Sequence, residues 1–443
     1  MKNRLKFISI LCALAITTTM LVGCGNSSKE TAAKDSSKGD QVTLRFSWWG
    51  GDVRHKATLD AIDLYMKKNP NVKIEAEYGG VDGYNDKLST QLGSGTAPDL
   101  IQVDNPWIYD YAKQGEMFYD LNEFKDIIDM SGFDKKFLDG YCTIDGKIQG
   151  LPMGLNAVTL IYNKDMLKNA DIDLTKDLDW DKLIEAGKKL HAQNSNNYLI
   201  NAEQNNLLDF VIMPYVIQKT GEQWIKDDYT MGFDKATLTQ AFELEQKMFD
   251  EGILQPAEQS FTFNHKPEEN TAWANKQFGG AFTWAAGLGV IDKPLGDSAD
   301  VTLVPVPKDA KNSGVLVRPA TLLCINKNSP NAKEAAKFMN FFFNDKEAAV
   351  ALGDVRSIPP VEASRQAALD AKKIDPLALK AVDPAAKNAG LIYNGNSSNQ
   401  ELRNILITEI ENVAYKKFTP DKAADDLINQ YNSKLQELKS AAN

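Results

Sequence analysis

Val42-Thr43-Leu44-Arg45-Phe46-Ser47-Trp48-Trp49-Gly50-Gly51-Asp52 is the stretch whose reading decides the fold. Val42, Leu44 and Phe46 fall on one face and Thr43, Arg45 and Ser47 on the other, the period-two pattern of a strand. Two indoles, two glycines and a carboxylate follow at its end. Neighbouring strand residues face opposite sides, so Trp48 and Trp49 cannot both be core. One reading has one of them lining a cleft at the strand's C-terminal edge, where open α/β sheets bind ligands. The other has one core and one surface Trp, with the glycines only turning the chain. An aromatic face beside a carboxylate suits a sugar, whose C–H groups stack and whose hydroxyls donate.

Working outward, residues 54–68 read as a helix with Ala57, Ala61, Leu64 and Tyr65 on one face, stopped by Asn69-Pro70. Val72, Ile74, Ala76 and Tyr78 alternate with charged residues as a second strand. Tyr84, Leu88 and Leu92 space a second helix, and Asp99 to Val103 is a buried strand. Strand, helix, strand, helix, strand predicts a doubly wound, mostly parallel α/β unit.

In the other direction lies a leader. Lys2, Arg4 and Lys6 precede an apolar run, Phe7 to Leu21, which is short for a membrane span. Leu21-Val22-Gly23-Cys24 resembles a bacterial lipobox, which predicts a signal peptide over 1–23 and lipid modification (palmitate among the acyl chains) at Cys24. Residues 24–40 are polar and aromatic-free, as a flexible tether would be.

The chain has 443 residues, 43% hydrophobic and 25% charged, an ordinary composition for a globular protein of more than one lobe. Its formal net charge is −10, and residues 1–23 carry three basic side chains and no acidic one, so the remainder is more acidic still. That argues against nucleic acid and anionic lipid as partners. Cys142 and Cys324 are far apart in sequence; a disulfide between them competes with two buried thiols, the preferred reading. His55, His191 and His265 stand apart from each other and from the cysteines, so no metal site is expected.

Nothing signals catalysis. Residues 140–147 come nearest to a phosphate loop, but the spacing is one residue too long and Ile148 follows where Ser or Thr is needed. No nucleophile elbow or zinc-binding His-Glu-x-x-His pair occurs. Further along, residues 149–163 read as one long extended segment. Asp179 reads as the cap of a helix over 180–192, and 193–206, rich in Asn and Gln, as an exposed loop. Leu238, Phe242, Glu245 and Phe249 line a helix, while Trp180, Trp224 and Trp273 read as packing on helices. Extended segments are expected at 279–285, 301–305 and 315–325. A helix runs from Ser329-Pro330 to Phe343, Ser398 and Glu401 read as a capping box, and Thr419-Pro420 opens a last helix.

Seven segments, in order, resemble one family. They are the lipobox, Trp48 to Asp52, Gly95-Thr96-Ala97-Pro98-Asp99-Leu100-Ile101, Leu151-Pro152 with Ile161-Tyr162-Asn163-Lys164, Phe278 to Trp284, Ala335-Ala336-Lys337-Phe338, and Gly353 with Pro359. Together they resemble the solute-binding lipoproteins of carbohydrate ABC importers, the maltose-binding-protein-like group (extracellular solute-binding protein family 1). The resemblance implies a two-lobed periplasmic-binding-protein-like α/β fold, with doubly wound sheets joined by a multi-strand hinge. Lobe 1 would comprise 41–155 and 285–342, and lobe 2 156–284 and 343–443. The crossings would lie at 152–159, near 282–286 and around 341–346.

It also implies a non-enzymatic, cofactor-free monomer. Such a protein captures an oligosaccharide between closing lobes and passes it to a permease whose ATPase is a separate chain. It would be held by its lipid on the outer face of a Gram-positive type of membrane. Carried over residue by residue, the ligand set is Asp52, Trp48 or Trp49 (Trp49 being nearer the bend), Asp104, Trp107, Asn156, Trp284 and Arg356. Each has a structural alternative: helix caps for Asp52 and Asp104, core for Trp107 and Trp284, a hinge hydrogen bond for Asn156. Arg318 interrupts the apolar run Val315-Leu316-Val317 and needs a partner, read here as a structural carboxylate. Arg356-Ser357 stands where relatives carry Arg-Gly, which leaves the shape of that turn open. A secreted polysaccharide-degrading enzyme and a non-closing adhesin are the competing functions.

Overall fold

The computed structural model describes residues 41–264, 266–393 and 395–442. The expected signal peptide 1–23, Cys24 and the tether to residue 40 lie outside the described residues. The first sheet grows from β1 (Val42–Trp49), α1 (Asp52–Lys68), β2 (Val72–Gly79), α2 (Tyr84–Gly93) and β3 (Leu100–Val103). β1 pairs in parallel with β2, Trp48 opposite Tyr78, and with β3, Phe46 opposite Leu100. The alternation in β1 becomes burial: Leu44, Phe46 and Trp48 are fully covered, and Ala57, Ala61 and Tyr65 of α1 pack over the sheet.

α3 (Asn105–Gln114) follows β3, and β4 (Leu151–Pro152) closes the first sheet's edge. Next come β5 (Leu155–Asn163), α4 (Trp180–Gln193), β6 (Tyr198–Asn201), α5 (Lys235–Asp250), β7 (Phe278–Trp284), β8 (Ala299–Thr302), β9 (Val317–Pro319) and β10 (Leu322–Ile325). α6 (Ala332–Asn344), α7 (Gln400–Ala414) and α8 (Pro420–Ala442) complete the elements that matter here. The first sheet has the order β2-β1-β3-β10-β4, with β10 antiparallel to both neighbours. The second has the order β8-β5-β7-β6, and β9 also pairs with β5.

Each sheet has its own hydrophobic core. One joins Trp48, Leu322 and Phe338; the other joins Phe242, Phe282 and Trp224. The chain passes from the first core to the second between Met153 and Ala157. The long extended segment is broken there into β4 and β5. Gly154 sits at the break, and a Cβ on it would lie 1.7 Å from the Arg356 carbonyl oxygen, so only glycine lets the two crossing strands approach.

The other crossings differ from expectation. Residues 285–342 do not form one piece of the first lobe. β8 pairs with β5, Ala299 opposite Asn163, and Val301 and Val317 bury in the second core, while β10 inserts into the first sheet. The second crossing is therefore the short span from Val317 to Leu322; β7 stays in the second sheet along β5. The third lies beyond Leu352, since Phe341, Phe342 and Phe343 all bury in the first core, where Phe341 and Phe342 meet Tyr65 and Phe46.

Two local expectations also change. The expected loop 193–206 contains β6, a strand buried from Leu199 to Asn201, because the amide that makes it look soluble is satisfied internally. Asn201 donates to the Pro267 carbonyl at 2.7 Å, and Asn270 donates to Asn201 at 3.2 Å. The cap of α7 is Asn399 rather than Ser398, its Oδ1 accepting from the Glu401 and Leu402 amides at 3.0 and 3.1 Å. Asp179, by contrast, caps α4 as read, accepting from the Lys182 amide at 2.8 Å. No helix among the described residues is long and apolar enough to cross a membrane.

Candidate functional site

A cleft runs between the two cores, and its inner section is a cavity of about 240 Å³. Asn105 and Tyr141 line it from the first core; Asp209, Trp284, Tyr393 and Arg403 line it from the second. Arg318 reaches it from β9, at the crossing itself. Ser398 and Gln400 connect this section to an outer one of about 860 Å³, between Trp107 and Tyr109 on one wall and the start of α7 and end of α8 on the other.

The strand register explains the inner wall. Arg318 stands opposite Asn156, and Trp284 opposite Val158, along the shared strand β5. Residues 156 and 158 face the same side, so Arg318 and Trp284 project from flanking strands onto one face. The guanidinium carbon lies 4.5 Å from the centroid of the Trp284 ring. No carboxylate among the described residues lies within ion-pair distance of Arg318, and its Nε is buried without a hydrogen-bond partner. The structural carboxylate expected for it is absent from its contacts. Arg403, in contrast, is paired: Nη1 and Nη2 donate to Asp209 Oδ1 and Oδ2 at 2.8 and 3.0 Å, a bidentate pair. The Tyr393 hydroxyl is buried and has no partner among the described residues. Tyr141 donates to the Val317 carbonyl, and Asn105 to the Tyr141 carbonyl at 3.1 Å, which ties the first core's wall to the crossing.

The residues singled out in the sequence divide. Trp284 lines the cavity. Asn156 makes the hinge hydrogen bond, its Oδ1 accepting from the Ala286 amide at 3.0 Å. Asp104 caps α3 through the Asn105 amide at 2.9 Å. Burial raises its pKa, and the charge of Arg318 opposes the shift. Trp48 is core: it stacks on Tyr78 at 5.0 Å and donates from Nε1 to His55 Nδ1 at 3.1 Å. Trp49 is buried in the same core, against the expectation that only one of the pair could be: both faces of β1 are covered, and Trp49 packs on Tyr84 at 4.8 Å and on Trp107 at 5.2 Å. Trp107 alone of the three carries that aromatic wall to the outer section.

Asp52 is elsewhere. It is exposed in the first turn of α1 and lines a separate surface groove with Leu352, Asp354 and Lys373. Its carboxylate complements the helix dipole there. Arg356 is buried against β3, the middle strand of the first sheet. Its Nε donates to Gln102 Oε1 at 3.1 Å, Gln102 in turn donates to the Trp49 carbonyl at 3.3 Å, and both terminal nitrogens lack partners among the described residues. Burial pushes its guanidinium well below the usual arginine range, and neighbouring Arg54 acts the same way. Cys142 and Cys324 are free, buried thiols, and no group of residues suited to a metal occurs among the described residues.

Sequence reasoning missed Asp209, Tyr393 and Arg403. The one signal available was Arg318, a charge inside an apolar strand.

The family described as bacterial extracellular solute-binding protein matches residues 60–381. The chain belongs to that family. A solute-binding structure from Pectobacterium atrosepticum is 30% identical, with a TM-score of 0.80 over 89% of this chain and 99% of its own. An oligogalacturonide-binding protein from Yersinia enterocolitica, solved with saturated digalacturonic acid, is 26% identical, with a TM-score of 0.75 over 89% and 99%. The α/β architecture of this solute-binding protein is thus that of the periplasmic solute-binding structures. A maltooligosaccharide ABC transporter solute-binding lipoprotein of Streptococcus pneumoniae is 25% identical over 38% of this chain and 37% of its own. The chain spans less than half the length of the curated relatives it matches, 47% at the first of them.

Proposed function

We propose that this solute-binding protein captures an oligosaccharide between its two lobes and delivers it to the membrane subunits of an ABC importer, whose ATPase is a separate chain. The observation that carries the reading is the inner section of the cleft. An indole, two guanidinium groups, a carboxylate and two phenols converge from both cores on one cavity, the mixture of flat apolar and hydrogen-bonding surface that a sugar needs. Relatives named for maltooligosaccharide and oligogalacturonide support the ligand class. The leader and Cys24 support a lipid-anchored monomer on the outer face of a Gram-positive type of membrane, and the two lobes follow the two cores with three crossings between them.

Magnitudes favour two-sided capture. A hydrogen bond to a charged group contributes ~1.5–3 kcal/mol and micromolar binding needs ~8 kcal/mol net, more than one wall supplies. Closure is then part of binding. Catalysis finds no support, since both thiols are buried and the carboxylate of the cavity is engaged by Arg403.

The test is titration calorimetry of the full chain in a zwitterionic detergent against neutral and acidic oligosaccharides, with small-angle scattering of the same samples. Saturable binding with compaction is expected. Absence of binding to every member rejects the reading; binding without compaction turns it into an adhesin, and release of shorter sugars into an enzyme.

A further inference from the structure

The two sections of the cleft differ in charge. The inner one is lined by two arginines and one carboxylate, and that carboxylate is fully engaged with Arg403. Arg318 is left without an ion pair among the described residues, with the charge of Asp104 nearby. The outer section is lined by Asp110, Glu401 and Glu437 against a single cation, Lys434, which already pairs with both glutamates.

We propose that the ligand is an oligosaccharide carrying one carboxylate, on the sugar residue held in the inner section and paired to Arg318, with neutral residues in the outer section. The inference rests on the oligosaccharide reading above and sharpens it to a substrate class.

Three observations support it. Arg318 is fixed on one side by the Trp284 ring, so its guanidinium edge is aimed rather than free. Its Nε is shielded from solvent and unpartnered among the described residues, and a shielded donor without a hydrogen bond is costly. A pyranose hydroxyl satisfies one such donor, whereas a carboxylate accepts two in the fork geometry that an arginine presents. The nearest competitor is Asp104, whose carboxyl the charge of Arg318 acts on, but which makes no ion pair with it among the described residues and spends Oδ1 on the Asn105 amide. The outer carboxylates disfavour a second acid group, which separates this ligand from a polyuronate.

The experiment compares, by calorimetry on the full chain, trisaccharides ending in galacturonate or glucuronate with their carboxyl-reduced counterparts and with trigalacturonate. At least one singly acidic member should bind about tenfold or more tighter than its reduced form, and tighter than trigalacturonate. Arg318→Gln should abolish that preference while retaining the weaker binding of the reduced sugar, and Arg318→Lys should retain part of it. Reduced sugars binding as tightly as every acidic member would overturn the proposal, with Asp104 as the counter-ion of Arg318. Trigalacturonate binding as tightly as the best singly acidic sugar would overturn the division between sections. Failure of all sugars, neutral and acidic, would reject the oligosaccharide reading itself, a distinct outcome. If Arg318→Gln does not fold, the wild-type comparison of acid and reduced forms still decides.

Discussion

Arg318 and Trp284 come from different strands, 34 residues apart in the chain, yet the guanidinium lies 4.5 Å from the indole centroid because both strands pair with β5. Trp284 is therefore a wall of the cavity and a support for the arginine. A cation–π contact contributes ~0.5–2 kcal/mol, and 1.4 kcal/mol is tenfold in affinity. Trp284→Ala should weaken ligand binding by about tenfold or more, with Trp284→Phe intermediate, read by titration calorimetry. Unchanged affinity in Trp284→Ala would remove the indole from the binding surface.

Asp209 and Arg403 should behave as a unit. Both side chains are largely shielded, at 21% relative exposure each, so losing the acid strands a guanidinium. Asp209→Asn should lower stability by about 1.5–3 kcal/mol. Adding Arg403→Gln should restore part of that loss, since coupled partners are not additive. Urea unfolding followed by tryptophan fluorescence reads the cycle; strictly additive losses would argue against the pair.

Asp52 gives the opposite expectation. It lies outside the cavity lining, in the first turn of α1, where a carboxylate contributes ~0.3–1 kcal/mol through the helix dipole. Asp52→Asn should cost that much stability and leave ligand affinity within about twofold. A tenfold loss of affinity would return Asp52 to the ligand set.

Glu245 predicts a pH effect. It is fully buried in α5, both oxygens lack partners among the described residues, and burial raises its pKa well above 4.5. The folded state thus holds a proton that the unfolded state releases. Stability from this group is complete below about pH 4.5 and declines as pH rises towards the folded pKa. Glu245→Gln should raise the unfolding temperature at pH 7–8, change it little at pH 4, and flatten the curve between. An equal shift at both pH values would show that Glu245 is ionised in the fold.

Legibility in the sequence followed the range of the interaction. β1, α1, β2, α2 and β3 could be read because each announces itself through its own periodicity or stop signal, as with Asn69-Pro70. β6 could not, because its one asparagine, Asn201, is satisfied by residues such as Asn270, far along the chain. The division of 285–342 failed for a related reason. A four-residue strand such as Ala299–Thr302 carries nothing to say which sheet it will join. In the cleft, Trp284 was legible as an aromatic ending an apolar strand. Asp209, Tyr393 and Arg403 were not, since α7 and a loop bring them together and each alone is an ordinary surface residue type.

The position of β10 has a consequence for the order of events during synthesis. It is a central strand of the first sheet, Cys324 facing Ile101, yet it is made more than 200 residues after its neighbour β3. The first sheet cannot finish until every strand of the second has been translated. A chain so arranged has high contact order and closes late. It therefore stays unfinished, and open to threading through a channel, for most of its emergence.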